Sequence, residues 1–93
     1  MIKVNEYFDG NVKSMGLENE EGRTTVGVMA PGEYEFGTST VEYMTVVSGS
    51  MNVLLPGEKK WKTYKPFQTF MVPKDAKFNL RIEEASAYKC IYK

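Results

Sequence analysis

The chain has 93 residues, 42% of them hydrophobic and 26% charged, with twelve Lys and Arg balancing twelve Asp and Glu. That is the size of one domain, residues 1–93, and its zero net charge gives no field to draw it to nucleic acid or an anionic membrane. It has no histidine and one cysteine, Cys90, which excludes a Ser-His-Asp triad, a His general base, His-ligated zinc and an intrachain disulfide.

At the N-terminus, Met1-Ile2-Lys3-Val4-Asn5-Glu6 lacks the apolar core of a signal peptide. No apolar run approaches the ~20 residues of a spanning helix, and the expected location is the cytoplasm. Asp9-Gly10-Asn11 is a strong turn signal and predicts a strand at 12–15. The charged stretch 18–21 reads as a solvated loop. Strands follow at 23–29 and, after the Ala30-Pro31-Gly32 turn, at 33–38. Further strands are expected at 42–48, 50–55, 62–64, 69–72, 77–83 and 87–92, with Gly49 as a turn and 56–60 as a loop. Roughly eight or nine short strands spaced by about 8–12 residues predict an all-β sandwich or barrel with no helix.

Alternation assigns the faces. Phe78, Leu80 and Ile82 alternate with polar residues and should point inward. Tyr34, Phe36 and Thr38 oppose Glu33 and Glu35, and Tyr88, Cys90 and Tyr92 oppose Lys89, so both sets should also face the core. The 42–48 strand is partly apolar on both sides, the pattern of a strand buried on both faces. Cys90 reads as a small buried hydrophobe rather than a nucleophile.

Glu42 stands seven positions before Gly49. This resembles the second half of the first cupin motif, G-x5-H-x-H-x(3,4)-E-x6-G, and predicts a jelly-roll-like β-barrel. In that register Phe36 and Thr38 occupy the two His positions and Ala30 the opening Gly. A weak echo of the second motif, from Pro73 to Phe78, puts Phe78 at the third His position. Three of four cupin metal ligands are therefore replaced, and one carboxylate does not hold a first-row metal. The expected pocket is metal-free, lined by Phe36 and Phe78, with Thr38 and Glu42 as its polar groups. Glu42 is then either a carboxylate bonded to backbone or hydroxyls at the barrel mouth, or a ligand group in a mostly apolar cavity.

A wider set of residues carries a closer resemblance: Asn5-Glu6-Tyr7-Phe8, Gly22-Arg23, Val26-Gly27-Val28-Met29, Gly32-Glu33-Tyr34, Glu42 with Met44-Thr45-Val46, and Asn52-Val53-Leu54-Leu55-Pro56. Together they are similar to the pyrimidine/purine nucleoside phosphorylase family of small cupins. The resemblance implies a broad-specificity reaction of nucleoside and phosphate to free base and ribose 1-phosphate, without metal or cofactor, in a homodimer. The alternatives are a non-enzymatic small-molecule-binding cupin and an isomerase or hydrolase acting on sugars with the same pocket. For that reaction Glu42 is the candidate to bind ribose hydroxyls and favour a ribosyl cation. Tyr34, Phe36, Thr38, Phe78 and Tyr88 are candidate substrate contacts, the aromatics by stacking on either kind of base. Arg23 is the candidate phosphate ligand, with Thr38, Thr45, Ser48 or Lys13 beside it, or else a surface charge in a turn.

Overall fold

The computed structural model describes residues 2–93, and among these there are ten strands and no helix. The strands are β1 (Val4–Tyr7), β2 (Val12–Asn19), β3 (Gly22–Met29), β4 (Gly32–Gly37), β5 (Glu42–Ser48), β6 (Met51–Leu54), β7 (Lys62–Tyr64), β8 (Thr69–Val72), β9 (Lys77–Ile82) and β10 (Ser86–Tyr92). They form two antiparallel sheets, one ordered β1-β2-β3-β10-β5-β8 and one ordered β4-β9-β6-β7.

Each strand expected from the alternation is present. β1 has no sequence-based counterpart, because three of its four residues are exposed and none is fully buried, so no period-2 signal exists. The expected loop at 18–21 is shorter than foreseen. Glu18 and Asn19 continue β2 and pair with Arg23 and Gly22. The turn then closes on a hydrogen bond from the Glu21 amide to Asn19 Oδ1, at 2.9 Å.

The inner faces of the two sheets meet in one apolar cluster. Val12, Met29, Met44, Val46, Phe70 and Val72 come from the larger sheet, and Tyr34, Met51, Val53, Phe78, Leu80 and Ile82 from the smaller. Complete burial of each such side chain contributes about 1.5–3 kcal/mol. The inward sets expected for β4, β9 and β10 are buried or half-buried as alternation requires.

β5 differs from expectation. Met44 and Val46 are buried, but Tyr43 and Val47 are exposed, so only one face is covered. The reason is that, among the described residues, no second layer lies over the outer side of the six-stranded sheet. Cross-strand register puts Val4, Met15 and Val26 in one row there, and Tyr43 and Met71 in another, all exposed. The apolar outer positions of β5 belong to that uncovered face.

Gly49 joins β5 of one sheet to β6 of the other. Its φ of 82° lies in the left-handed region, and an added Cβ would meet the Ala85 carbonyl at 2.9 Å. The glycine that closes the cupin-like spacing is thus the corner where the chain changes sheets.

Candidate functional site

Between the sheets lies a cavity of about 170 Å³. Odd-numbered β3 residues and even-numbered β5 and β10 residues share the inner side of the large sheet. This brings Arg23, Glu42, Tyr88 and Tyr92 to the cavity wall with Ser14 and Met44. β4 and β9 supply Phe36, Gly37 and Phe78 from across the barrel, and Tyr7 closes in from β1. Phe36 and Phe78 are paired in the register of β4 and β9, and their rings stack at 5.9 Å with an interplanar angle of 28°.

Gly27 makes room for Tyr88. It is the β3 residue opposite both Ser14 and Tyr88, and the Tyr88 ring crosses over it. A larger residue there would meet the phenol directly.

Glu42 is half-buried at the end of β5, opposite Tyr92. The Cys90 thiol donates to its Oε1 at 3.6 Å. Burial raises the Glu42 carboxyl above its ordinary value, while the Cys90 hydrogen bond and the Arg23 charge act in the opposite direction. Burial also pushes the Tyr88 phenol up to about 12, with the Ser14 hydroxyl working against the shift. The Tyr92 phenol and the Cys90 thiol are raised too, first by burial. The two phenols and the thiol are neutral at physiological pH, so Tyr88 and Tyr92 offer hydroxyls to the cavity beside the Glu42 carboxyl, while the Cys90 thiol is spent on Oε1. The Arg23 guanidinium lies over the Tyr92 ring, 4.9 Å from its centroid, and forms no ion pair among the described residues.

The model of the family described as pyrimidine/purine nucleoside phosphorylase matches residues 2–92 of this chain. A pyrimidine/purine nucleoside phosphorylase of Pseudomonas entomophila is 55% identical over 93 residues, covering 100% of this chain and 99% of the other. The chain belongs to this family.

Solved structures agree on the architecture of this family member. A Vibrio parahaemolyticus protein of unknown function superposes with a TM-score of 0.94 at 47% identity, covering 100% of this chain and 99% of that one. An RmlC-like cupin of Shewanella frigidimarina superposes with a TM-score of 0.75 at 20% identity, covering 96% and 80%. That second likeness bears on the fold alone, which is a cupin.

In this phosphorylase-family chain five of the candidate residues share the cavity: Arg23, Phe36, Glu42, Phe78 and Tyr88. The other five lie elsewhere. Tyr34 is buried beside Phe36, and its hydroxyl donates to the Ala30 carbonyl at 2.6 Å. Thr38 faces the interior as expected but is not a polar group of the pocket. Its hydroxyl donates to the Pro73 carbonyl at 2.6 Å and accepts from the Ala76 amide at 3.0 Å, tying the end of β4 to the turn before β9. Thr45 points away from the cavity, where its hydroxyl bonds that of Thr69 at 2.6 Å. Ser48 is exposed at the end of β5, and Lys13 pairs with Glu6 on the outer surface. The period-2 rule sorts Thr45 and Lys13 onto the outer face, since each is one residue out of step with the buried Met44 and Ser14.

Ser14, Tyr7 and Tyr92 line the cavity without having been candidates. Tyr92 was legible as inward-facing, but Ser14 and Tyr7 carry no distinguishing sequence signal. The cupin metal positions hold Phe36, Thr38 and Phe78 beside Glu42. Two of these are stacked rings and the third has its hydroxyl engaged by backbone. This donor set does not fit a metal ion.

Proposed function

We propose that this protein is a broad-specificity nucleoside phosphorylase. The observation that carries the reading is one cavity with Glu42 and Arg23 on one wall and an aromatic surface from Phe36 and Phe78 on the other. In the reaction the bond between the ribose anomeric carbon and the base nitrogen breaks. A phosphate oxygen bonds to that carbon, and the base departs with the electron pair and takes up a proton. The transition state is a ribosyl cation, so the protein must favour positive charge at the sugar and hold phosphate beside it.

Glu42 provides the negative charge. With Oε1 held by the Cys90 thiol, its other oxygen is free to accept from ribose hydroxyls. Desolvation strengthens its attraction for the cation relative to an exposed carboxylate. Phe36, half-buried against Phe78, offers a flat face on which purine and pyrimidine stack alike. The neutral phenols of Tyr88 and Tyr92 act only as hydroxyls and can donate to the departing base. Arg23 binds phosphate through its guanidinium, which is fork-shaped and always charged.

The same reading carries a cytoplasmic homodimer. The uncovered apolar face of the six-stranded sheet, with Val4, Met15, Val26 and Val28 exposed, supports self-association.

The test is release of free base from uridine and adenosine with and without phosphate. Release that needs phosphate and yields ribose 1-phosphate is expected, and Glu42→Gln and Arg23→Ala each abolish it while keeping the fold. Binding without turnover would instead identify a non-enzymatic binding cupin, and phosphate-independent release of free ribose a hydrolase.

A further inference from the structure

A second hollow lies beyond Arg23. It is a groove of about 340 Å³ whose walls include Lys3, Asn5, Glu18, Arg23 and Thr25. Arg23 belongs to both walls, that of the groove and that of the cavity.

The partition between the two spaces is polar. The Asn5 side-chain amide, on the groove side, donates to the Ser14 hydroxyl on the cavity side at 3.3 Å. The Thr25 hydroxyl, on the groove side, bonds the Tyr92 hydroxyl on the cavity side at 3.0 Å. Arg23 lies over that same Tyr92 ring. Ligand sites usually begin near 300 Å³. A cavity of about 170 Å³ is too small for a nucleoside and phosphate together, so one substrate must use adjoining space.

The groove has the composition an oxyanion needs. Lys3 and Arg23 both lack a carboxylate partner among the described residues, and Asn5 and Thr25 add an amide and a hydroxyl. Glu18 is the one carboxylate in the wall, opposite Arg23 in the β2–β3 register.

We propose that this groove is the phosphate subsite, with Lys3 a second phosphate ligand beside Arg23, and the inner cavity the nucleoside subsite. The inference rests on the phosphorylase reading. Phosphate held there faces the sugar on the Arg23 side, where that residue borders both spaces. Thr45, Ser48 and Lys13 then take no part in phosphate binding.

The test combines kinetics with direct binding on the full chain. Lys3→Met should raise the phosphate KM about three- to tenfold, the size expected for losing one exposed charge-assisted contact. The nucleoside KM should stay within about twofold, a split that a general structural defect would not produce. Lys60→Met, on a loop outside both spaces, should change neither. An unchanged phosphate KM in Lys3→Met, or a nucleoside KM that rises equally, overturns the assignment. Separately, inorganic phosphate is titrated without nucleoside and its ³¹P line width followed. The parent should broaden the line, and Lys3→Met should broaden it less. If the parent releases no base from any nucleoside, the phosphorylase reading fails. The groove as an oxyanion site then stands if Lys3→Met weakens the broadening, and falls if the parent produces none.

Discussion

Replacing Gly27 by Ala tests how the cavity is built. An added Cβ would sit 2.7 Å from the Lys13 carbonyl oxygen and 2.7 Å from both Cζ and the hydroxyl oxygen of Tyr88. Ordinary contact begins at 3.4 Å, so each neighbour must yield by about 0.7 Å. Neither does so easily. The Lys13 carbonyl is held by the β2–β3 pairing, and Tyr88 is packed at 5% exposure. Overpacking of this kind costs about 1–3 kcal/mol. At about 4–8 °C per kcal/mol for a domain of this size, the melting temperature should fall by at least about 4 °C, read by circular dichroism. Because Tyr88 lines the cavity, the nucleoside KM should rise as well. Tyr88→Leu removes two of the three clashing atoms, so combining it with Gly27→Ala should cost about 1 kcal/mol less than the sum of the single changes. A Gly27→Ala protein that melts within about 2 °C of the parent, or purely additive effects, would refute the account of Tyr88 crossing over Gly27.

Two further outcomes follow from side chains near the cavity. Burial raises the Glu42 carboxyl, so its protonated form favours folding. That contribution is complete below the ordinary value of 4.5 and disappears as pH rises through the higher folded-state value. Glu42→Gln should therefore gain stability relative to the parent between acid and neutral pH while losing activity; urea melts whose difference does not change with pH would contradict this. Thr38→Val leaves the Pro73 carbonyl and Ala76 amide without their hydroxyl partner and should cost about 1–3 kcal/mol. It should leave kcat/KM within about twofold, and a large kinetic loss with normal stability would put Thr38 back in the site.

Much of this molecule follows from local pattern. Alternation identifies Phe36, Phe78, Tyr88 and Cys90 as inward, because the two-residue period of a strand is a property of its backbone. The seven-residue step from Glu42 to Gly49 likewise foretells a strand and its corner. Other features have no local signal. Which inward hydroxyls reach the cavity depends on partners distant in sequence: Thr38 is engaged by Pro73 and Ala76, while Ser14 lies beside Tyr88 through strand pairing. β1 is largely exposed, with no inward apolar set, and exists because β2 offers it an edge. That Tyr43 and Val47 are uncovered is decided by the second sheet packing on the inner face alone, since periodicity describes a strand's two faces but not what lies against them. Arg23 reads in sequence as a charge after a turn; only the packing of β1, β3 and β10 gives it a cavity on one side and a groove on the other.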